Sequence, residues 1–509
     1  MTASWLVANC DMAALARLAG LLAMTLKRGD LVALYGELGA GKTAFARALI
    51  AQLTLGAEQE IPSPTFSLAQ AYEGAASPLL HVDCYRLADA AEADEIGIGE
   101  GLASGIVVVE WAGRIAAQLP AGRLDVTLHD PGKGDVRDIV FTAHGDWVPR
   151  LERVQSLDRF LQTSGWKAAG VTWLQGDAST RAYARLTLAS KTALLMDSPA
   201  RADGPPLSGG LPYSKLVHLA EDVTPFVAVG EALRARGISS PELFAHDLER
   251  GFLVIEDLGD KVYGRELAAG ADMAMLYRAA ADALQHLRRH PPPPRLPVPG
   301  GSGYMLPAFD APAMIAEAEL LLDWFMPAAK GSKVGKAVRE AFRSAWSGVL
   351  AAMSPDEGWV LRDYHSPNLI WLPSRKGIAR VGVIDYQDAL RGPLAYDLVS
   401  LLQDARLDIP AALEAELLEH YCDACERGGT GFDRDRFTAS YAILGAQRAT
   451  KILGIFARLA NRDGKTGYLV HIPRVAAYLE RDLAHPALGP VAGWYAKHLP
   501  PSSRHIAPA

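Results

Sequence analysis

Cysteine is scarce in this chain, with four residues in 509, at positions 10, 84, 422 and 425. That is too few, and too dispersed, for a secreted disulfide framework. Only Cys422 and Cys425 stand close together, and a lone CxxC with no second pair in a helical stretch reads as packing before it reads as a zinc or redox site. No stretch approaches the ~20 apolar residues of a membrane span. The N-terminus, with Asp11 and no basic lead-in, does not have the form of a secretory signal. A soluble, cytoplasmic protein with no membrane partner is the expectation. Positive charge is not in excess either: 51 basic against 58 acidic residues give a net charge of −7. This argues against retention on nucleic acid by bulk charge, though not against a local basic patch. No repeat of fixed period is present.

What the chain does have is globular composition, 50% hydrophobic and 21% charged, enough for sizeable cores. At roughly 150 residues per domain the length suggests three compact units. The first 150 residues alternate short apolar runs with helical patterns, as a parallel α/β sheet does. Residues 31–35, 79–84 and 106–110 read as buried strands, and 42–53 as a helix. The stretch 129–138 reads as a hairpin connection between strands at 124–128 and 139–142. Order loosens near His144–Arg153, where a boundary is expected. Beyond it, 171–174, 183–188, 192–196 and 252–255 read as strands, and after Gly264 the chain is mostly helical. Ile315, Ala318, Leu322 and Phe325 mark one helix face. The prolines of 291–294, 297 and 299 break any helix there, giving a rigid connector or, less simply, a PxxP docking ligand.

The first chemical signal is GELGAGKT at residues 36–43, between a strand and a helix. The pattern GxxxxGK[ST] lets the backbone N–H groups of Gly36, Glu37, Gly39, Ala40 and Gly41 curl round an anion at a helix N-terminus. Lys42 then serves the β/γ-phosphates and the Thr43 hydroxyl suits Mg²⁺; the alternative is a structural Gly-rich turn. Phosphoryl transfer also needs carboxylates. Asp83 and Glu110 each end a strand candidate beside this loop, although strand-end acids are also commonly just solvated.

The second signal is WVLRDYHSPNLIWL at residues 359–372. Asp363 followed five residues later by Asn368 fits a kinase catalytic loop, in which Asp accepts the substrate hydroxyl proton and Asn binds Mg²⁺. Downstream, Asp385 ends the apolar run VGVID and is the natural second metal ligand. His365 reads as a loop-packing residue or as a contact near the phosphates. Arg448, Lys451, Arg458 and Arg462 fall near one helix face, either a solvated surface or a substrate contact.

Motif order adds resemblance to known families. Ser63-Pro64-Thr65-Phe66, His81-Val82-Asp83-Cys84-Tyr85-Arg86 and Glu110-Trp111 follow the phosphate loop as they do in the TsaE family, over roughly residues 1–150. Members are small ATPases of threonylcarbamoyladenosine synthesis on tRNA. The resemblance implies a TsaB–TsaD-type partner complex, with tRNA met only indirectly. It also implies Thr65 as a nucleotide-sensing residue, Asp83 and Glu110 as metal and water carboxylates, and Trp111 lining the site, core packing being the alternative for the tryptophan. Ala112 stands where that family usually has proline.

Residues 156–485 resemble the aminoglycoside phosphotransferase and choline kinase superfamily. There GDASTRAY (176–183), with Ser179, Thr180 and Arg181, would cover the nucleotide phosphates. FLVIEDLGD (252–260), with Glu256 and Leu258, would meet the adenine, and Asp397 would brace the catalytic loop. ASTRAYARL (178–186), LLMDSP (194–199), ARLANRDGK (457–465) and HIPRVAAYL (471–479) narrow this to a resemblance with AmgK, the anomeric kinases of N-acetylmuramic acid and N-acetylglucosamine. The usual phosphate-binding lysine is replaced by Met196-Asp197, and Arg181 is the candidate substitute, unless it is merely solvent-exposed. The lactyl carboxylate of muramic acid would suit the basic helix face.

The expected architecture is therefore α/β: a P-loop NTPase domain (1–150), then a two-lobed, protein-kinase-like α+β fold with a small lobe (156–262) and a mostly helical large lobe (263–509). Both halves would use ATP and Mg²⁺. The competing readings are a kinase for another hydroxyl substrate, such as an aminoglycoside or choline, and an N-terminal half that is only a nucleotide-regulated binding module.

Overall fold

A computed structural model describes residues 2–54, 61–87, 96–175, 181–204, 210–353, 356–428 and 431–506. The chain divides into two compact units, one made of residues 1–199 with 243–257, the other of 200–242 with 258–509. Among the described residues no helix is long and apolar enough to cross a membrane.

The first unit is built on a seven-stranded sheet of order β1-β7-β6-β2-β5-β4-β3. Its strands are β1 (Thr2–Cys10), β2 (Leu31–Tyr35), β3 (Ala69–Tyr72), β4 (Leu79–Asp83), β5 (Ile106–Glu110), β6 (Leu124–His129) and β7 (Arg137–His144). Strands β6, β2, β5 and β4 run parallel, and the expected β6–β7 hairpin is antiparallel. Strands β2 and β5 are buried on both faces, which is why they appear as apolar runs, whereas β6 alternates buried with half-buried residues. Val32, Leu34, Ile106 and Val108 enter one core, while Leu31, Ala33, Val107 and Val109 enter another. Among the described residues this unit has the α-helices α1 (Met12–Ala23), α2 (Lys42–Leu53), α3 (Ile98–Ser104) and α4 (Trp147–Thr163).

A second sheet of the same unit has the order β11-β12-β10-β9-β8, from β8 (Gly170–Leu174), β9 (Ala182–Leu188), β10 (Lys191–Asp197), β11 (Leu243–Asp247) and β12 (Phe252–Glu256). Its inward residues alternate as a half-buried sheet requires. Val171, Ala184, Leu186, Ala193, Leu195, Phe252 and Val254 share a single hydrophobic core with Leu18, Leu21 and Leu22 of α1 and with Phe45, Leu49 and Ile50 of α2. The edge strand β8 does not expose its backbone there: the Gln52 carboxamide on α2 accepts from Trp173 N at 2.8 Å and donates to Val171 O at 3.2 Å. Where the sequence loosens near His144–Arg153, the chain instead forms α4, whose arginines explain why it does not read as an apolar element. Arg150 meets Asp30, Arg153 meets Asp197, and the buried Asp158 meets Arg17. The motif-based divisions at 150, 156 and 262 thus differ from the compact units, because packing joins what the motifs separate.

The second unit is mostly helical, with two short antiparallel ribbons. One pairs β13 (Glu357–Val360) with β16 (Leu390–Pro393), the other β14 (Leu369–Trp371) with β15 (Val381–Val383). Its backbone is the 30-residue helix Arg434–Asp463, buried along most of Ser440–Ala457. The expected helix around Ile315–Phe325 is Ala311–Ala318 followed by a π turn over Leu321–Phe325. Ile315 is only half-buried, and Glu317 takes a fully buried place. The proline-rich stretch lies between the helices ending at Arg289 and beginning at Ala311.

Gly20 on α1 measures how tightly the two sheets of the first unit are joined: a Cβ there would lie 2.4 Å from the Val171 carbonyl oxygen and 3.0 Å from its carbonyl carbon. Gly20→Val is expected to destabilise this unit by about 1–3 kcal/mol through overpacking. Thermal denaturation followed by circular dichroism checks this, and an unchanged Tm would contradict the close approach.

Candidate active sites

The phosphate loop sits where the sequence puts it, between β2 and α2. Gly36, Gly39 and Gly41 all hold positive φ (141°, 81° and 102°). At Gly36 a side chain is impossible for a second reason, since a Cβ would lie 2.5 Å from the Leu128 carbonyl oxygen. Lys42 Nζ donates to the carbonyls of Gly36 and Glu37, both at 2.8 Å, and lies 3.5 Å from the centroid of the Trp111 ring. Burial lowers the Lys42 pKa, while Glu110, Asp83 and Glu37 act in the opposite sense. Trp111 is therefore half-buried beneath the loop lysine, and its own backbone is left-handed at φ 57°.

Parallel pairing brings the carboxylates together. Asp83 and Glu110 are register partners at the ends of β4 and β5, and Glu110 also pairs with Leu34 of β2. Thr43 Oγ1 donates to Glu110 Oε2 at 2.7 Å. Asp83 Oδ2 accepts from Ser63 Oγ at 2.6 Å and Thr65 Oγ1 at 2.9 Å, and Asp83 Oδ1 accepts from Tyr85 N at 2.9 Å. Lys42, Thr43, Thr65, Asp83, Glu110 and Trp111 thus converge on one site. Two further residues have no role assigned from the sequence, although His81 stands within a quoted motif. His81 is fully buried with Nε2 3.0 Å from Glu110 Oε1; its two-residue spacing from Asp83 puts both on one face of β4, which is the signal that finds it. Arg137 donates to the carbonyls of Ala40 at 3.1 Å and Gly39 at 3.4 Å, and nothing in the hairpin sequence announces that role.

In the second unit the loop 361–368 lies between β13 and β14. Asp397, in the helix Ala395–Leu402, accepts from Leu361 N at 2.6 Å and Arg362 N at 2.9 Å, so the expected brace is present. Asp404 accepts from Ser366 N at 3.0 Å and Ser366 Oγ at 2.5 Å, and His365 Nδ1 lies 4.0 Å from it. Asn368 Nδ2 donates to the Asp363 carbonyl at 3.0 Å, which leaves Oδ1 as the end suited to a cation. Ile384 N donates to the Asn368 carbonyl at 3.0 Å, so the β14–β15 ribbon sets Asn368 and Asp385 at neighbouring strand ends. Asp385 takes a left-handed φ of 59°, and its Oδ1 accepts from Gln387 at 3.0 Å.

Burial would raise the Asp363 carboxyl, but the charges of Lys451 and Arg448, with His365 and Arg362, outweigh it and hold the pKa at about 2. Burial pushes His365 the other way, down to about 4. The basic helix face resolves into two parts. Arg448 and Lys451 are buried behind the catalytic loop, Arg458 is half-buried beside Tyr213, and Arg462 is exposed and paired with Asp463.

The remaining candidates are more scattered. Ser179 and Thr180 lie outside the described residues. Arg181 is half-buried just ahead of β9. Glu256 ends β12 opposite Ala193, and the division between the units falls between Asp257 and Leu258. Cys422 and Cys425 are buried, with burial raising both thiols, Cys422 to about 12, which is the environment of inert, packed cysteines.

Comparison with known proteins follows the same division. The TsaE family, threonylcarbamoyl adenosine biosynthesis protein TsaE, matches residues 10–139, and the phosphotransferase enzyme family matches residues 170–437. An N-acetylmuramate/N-acetylglucosamine kinase of Caulobacter vibrioides is 37% identical over 363 residues, 69% of this chain and 98% of the relative. Its counterpart in Pseudomonas aeruginosa is 32% identical over 60% of this chain and 82% of that protein. The tRNA threonylcarbamoyladenosine biosynthesis protein TsaE of Bacillus subtilis is 39% identical over 25% of this chain and 79% of its own length. The phosphate loop with its paired strand-end carboxylates, and the Asp363–Asn368–Asp385 set, each fall inside one of these matches. The chain therefore belongs to two families at once, to TsaE through its N-terminal part and to the phosphotransferase enzyme family, on the N-acetylmuramate/N-acetylglucosamine kinase branch, through the rest.

Proposed function

We propose that the chain is bifunctional. Its N-terminal part is the ATPase component of tRNA threonylcarbamoyladenosine formation, acting with a TsaB–TsaD-like complex and meeting tRNA only through it. Its kinase part transfers the γ-phosphoryl group of ATP to the anomeric hydroxyl of N-acetylmuramic acid or N-acetylglucosamine. The names of the relatives support both activities. The observation that carries the kinase reading is the β14–β15 ribbon, which holds Asn368 and Asp385 side by side with Asp363 at the head of the same loop. For the ATPase it is the Thr43–Glu110 bond beside Asp83.

Both donor sets offer hard oxygen ligands, which suits Mg²⁺: Thr43 with Asp83, and Asn368 with Asp385. Bound there, the ion would neutralise charge on the transferring phosphate. In the kinase reaction the acceptor oxygen forms a bond to the γ-phosphorus, the bond to ADP breaks, and the hydroxyl proton passes to Asp363. A carboxylate held near pKa 2 is a weak base. Asp363 therefore acts first by orienting the hydroxyl, and takes the proton late, when bond formation has made that hydroxyl acidic. In the ATPase, His81 and Thr43 fix the Glu110 carboxylate from two sides, as a residue that positions water needs.

Three outcomes test this. Asp363→Asn is expected to lower sugar-kinase kcat by about 10²–10⁴-fold, measured with the product resolved as 1-phosphate or 6-phosphate; a 6-phosphate, or an aminoglycoside or choline preferred in the same acceptor screen, replaces the anomeric reading. The pH dependence has a definite sign. Asp363 loses its charge only as pH falls towards about 2, and His365 becomes cationic only below about 4. The group that titrates nearer neutrality is the brace Asp397, which burial pushes up to about 7 against the backbone N–H groups of Leu361 and Arg362. The kcat of the kinase is accordingly expected to fall as pH drops below about 7, and a kcat–pH profile flat between about pH 8 and about pH 5 would contradict the assignment. Finally, Lys42→Ala is expected to abolish nucleotide binding at the phosphate loop, and Glu110→Gln to retain binding yet fail to support the tRNA modification in cells. Full modification with Glu110→Gln removes its catalytic role and leaves a nucleotide-regulated binding module.

A further inference from the structure

Behind the catalytic loop lies a buried ionic cluster. Arg362, the residue before Asp363, holds a left-handed φ of 72°, a conformation a long side chain adopts only when its surroundings impose it. Four contacts impose it here. Its backbone N–H donates to Asp397 Oδ1 at 2.9 Å and its carbonyl accepts from Arg448 Nη1 at 2.9 Å. Its guanidinium donates to the Val217 carbonyl at 2.9 Å and to Glu317 Oε1.

Glu317 is the anion that closes this clamp. It is fully buried, and besides Arg362 it accepts from Lys451 Nζ at 2.7 Å and Gln447 Nε2 at 3.2 Å. Burial would raise its pKa, but Lys451 and Arg362 keep it below the usual carboxylate value. Lys451 and Arg448 are also the charges that hold Asp363 ionised, and Arg448 Nη1 lies 3.8 Å from Asp363 Oδ1. Were the Glu317 charge absent, Asp363 would become the counter-ion to which the buried cations turn. A buried cation deprived of its partner is strongly unfavourable.

We propose that Glu317 is a positioning residue of the kinase: by neutralising Arg362 and Lys451 it fixes the left-handed turn and keeps the Asp363 carboxylate available to the acceptor hydroxyl. This rests on the kinase reading of Asp363, and the two fail differently. A full-length protein without sugar-kinase activity overturns that reading. An active protein indifferent to Glu317 overturns only the present one.

The experiment compares full-length Glu317→Gln, Lys451→Met and the double variant in a steady-state kinase assay with N-acetylmuramic acid. Glu317→Gln is expected to lower kcat between about 10-fold and 100-fold, the scale of a misplaced catalytic group, with KM for ATP unchanged. The double variant removes one cation together with its counter-ion, and is expected to recover most of the lost kcat. A merely structural residue would lower Tm or yield without this split, and the second substitution would then deepen the defect. Unchanged kcat in folded Glu317→Gln, or a double variant slower than Glu317→Gln, overturns the proposal. If Glu317→Gln does not fold, Arg448→Lys carries the test. It keeps the charge but withdraws the bond to the Arg362 carbonyl, and it is expected to lower kcat at least about 5-fold at constant KM for ATP, on the same positioning argument; unaltered kcat overturns the proposal.

Discussion

Both sites depend on keeping charge in places from which water is excluded. Glu110, Asp83, Glu317, Arg362, Asp397 and Asp404 are all buried. An ionised group in such surroundings persists only when hydrogen-bond donors or an opposite charge replace its hydration. The chain answers each of them locally. Backbone N–H groups meet Asp397, hydroxyls meet Asp83 and Glu110, and a cation pair meets Glu317. The same arrangements that make burial tolerable also fix the direction in which each carboxylate points. The acidic net charge of −7 does not prevent local positive charge at the phosphate loop, where Lys42 and Arg137 both donate to loop carbonyls.

A second constraint is that a sheet with one apolar face has to cover it. In the first unit the five-stranded sheet β11-β12-β10-β9-β8 does so against α1 and α2 of the phosphate-loop domain. α2 has two functions along its length. Its N-terminus follows the phosphate loop, and Gln52, three turns later, saturates the edge of β8. An element that belongs to the ATPase by motif thus belongs to the kinase part by packing.

This explains which features the sequence reveals. Strands β2 and β5 are legible because burial on both faces leaves apolar runs, and the phosphate loop is legible because its glycines are demanded by positive φ and by the close approach of Leu128. The strand β1 is not, since most of its side chains are exposed or half-exposed in the edge position. The pattern of Asp363, Asn368 and the strand-end Asp385 follows from spacing, and the brace at Asp397 follows from the family resemblance. Glu317 does not, because an isolated glutamate in a helix reads as solvated, and only the partners brought by Arg362 and the distant helix at Lys451 give it a reason to be buried. The basic face at Arg448 and Lys451 was visible as a face; that it points inward at the catalytic loop is a property of tertiary packing and has no one-dimensional signature. The CxxC at Cys422 misleads in the opposite sense, since spacing suggests chemistry that burial of both thiols opposes.

Gly20 takes part in neither reaction, yet the backbone of β8 lies against it with no room for a methyl group. A lesion at that position would reach the phosphate-loop part and the five-stranded sheet of the kinase part together. Joining two enzymes through a common core makes them one mutational target.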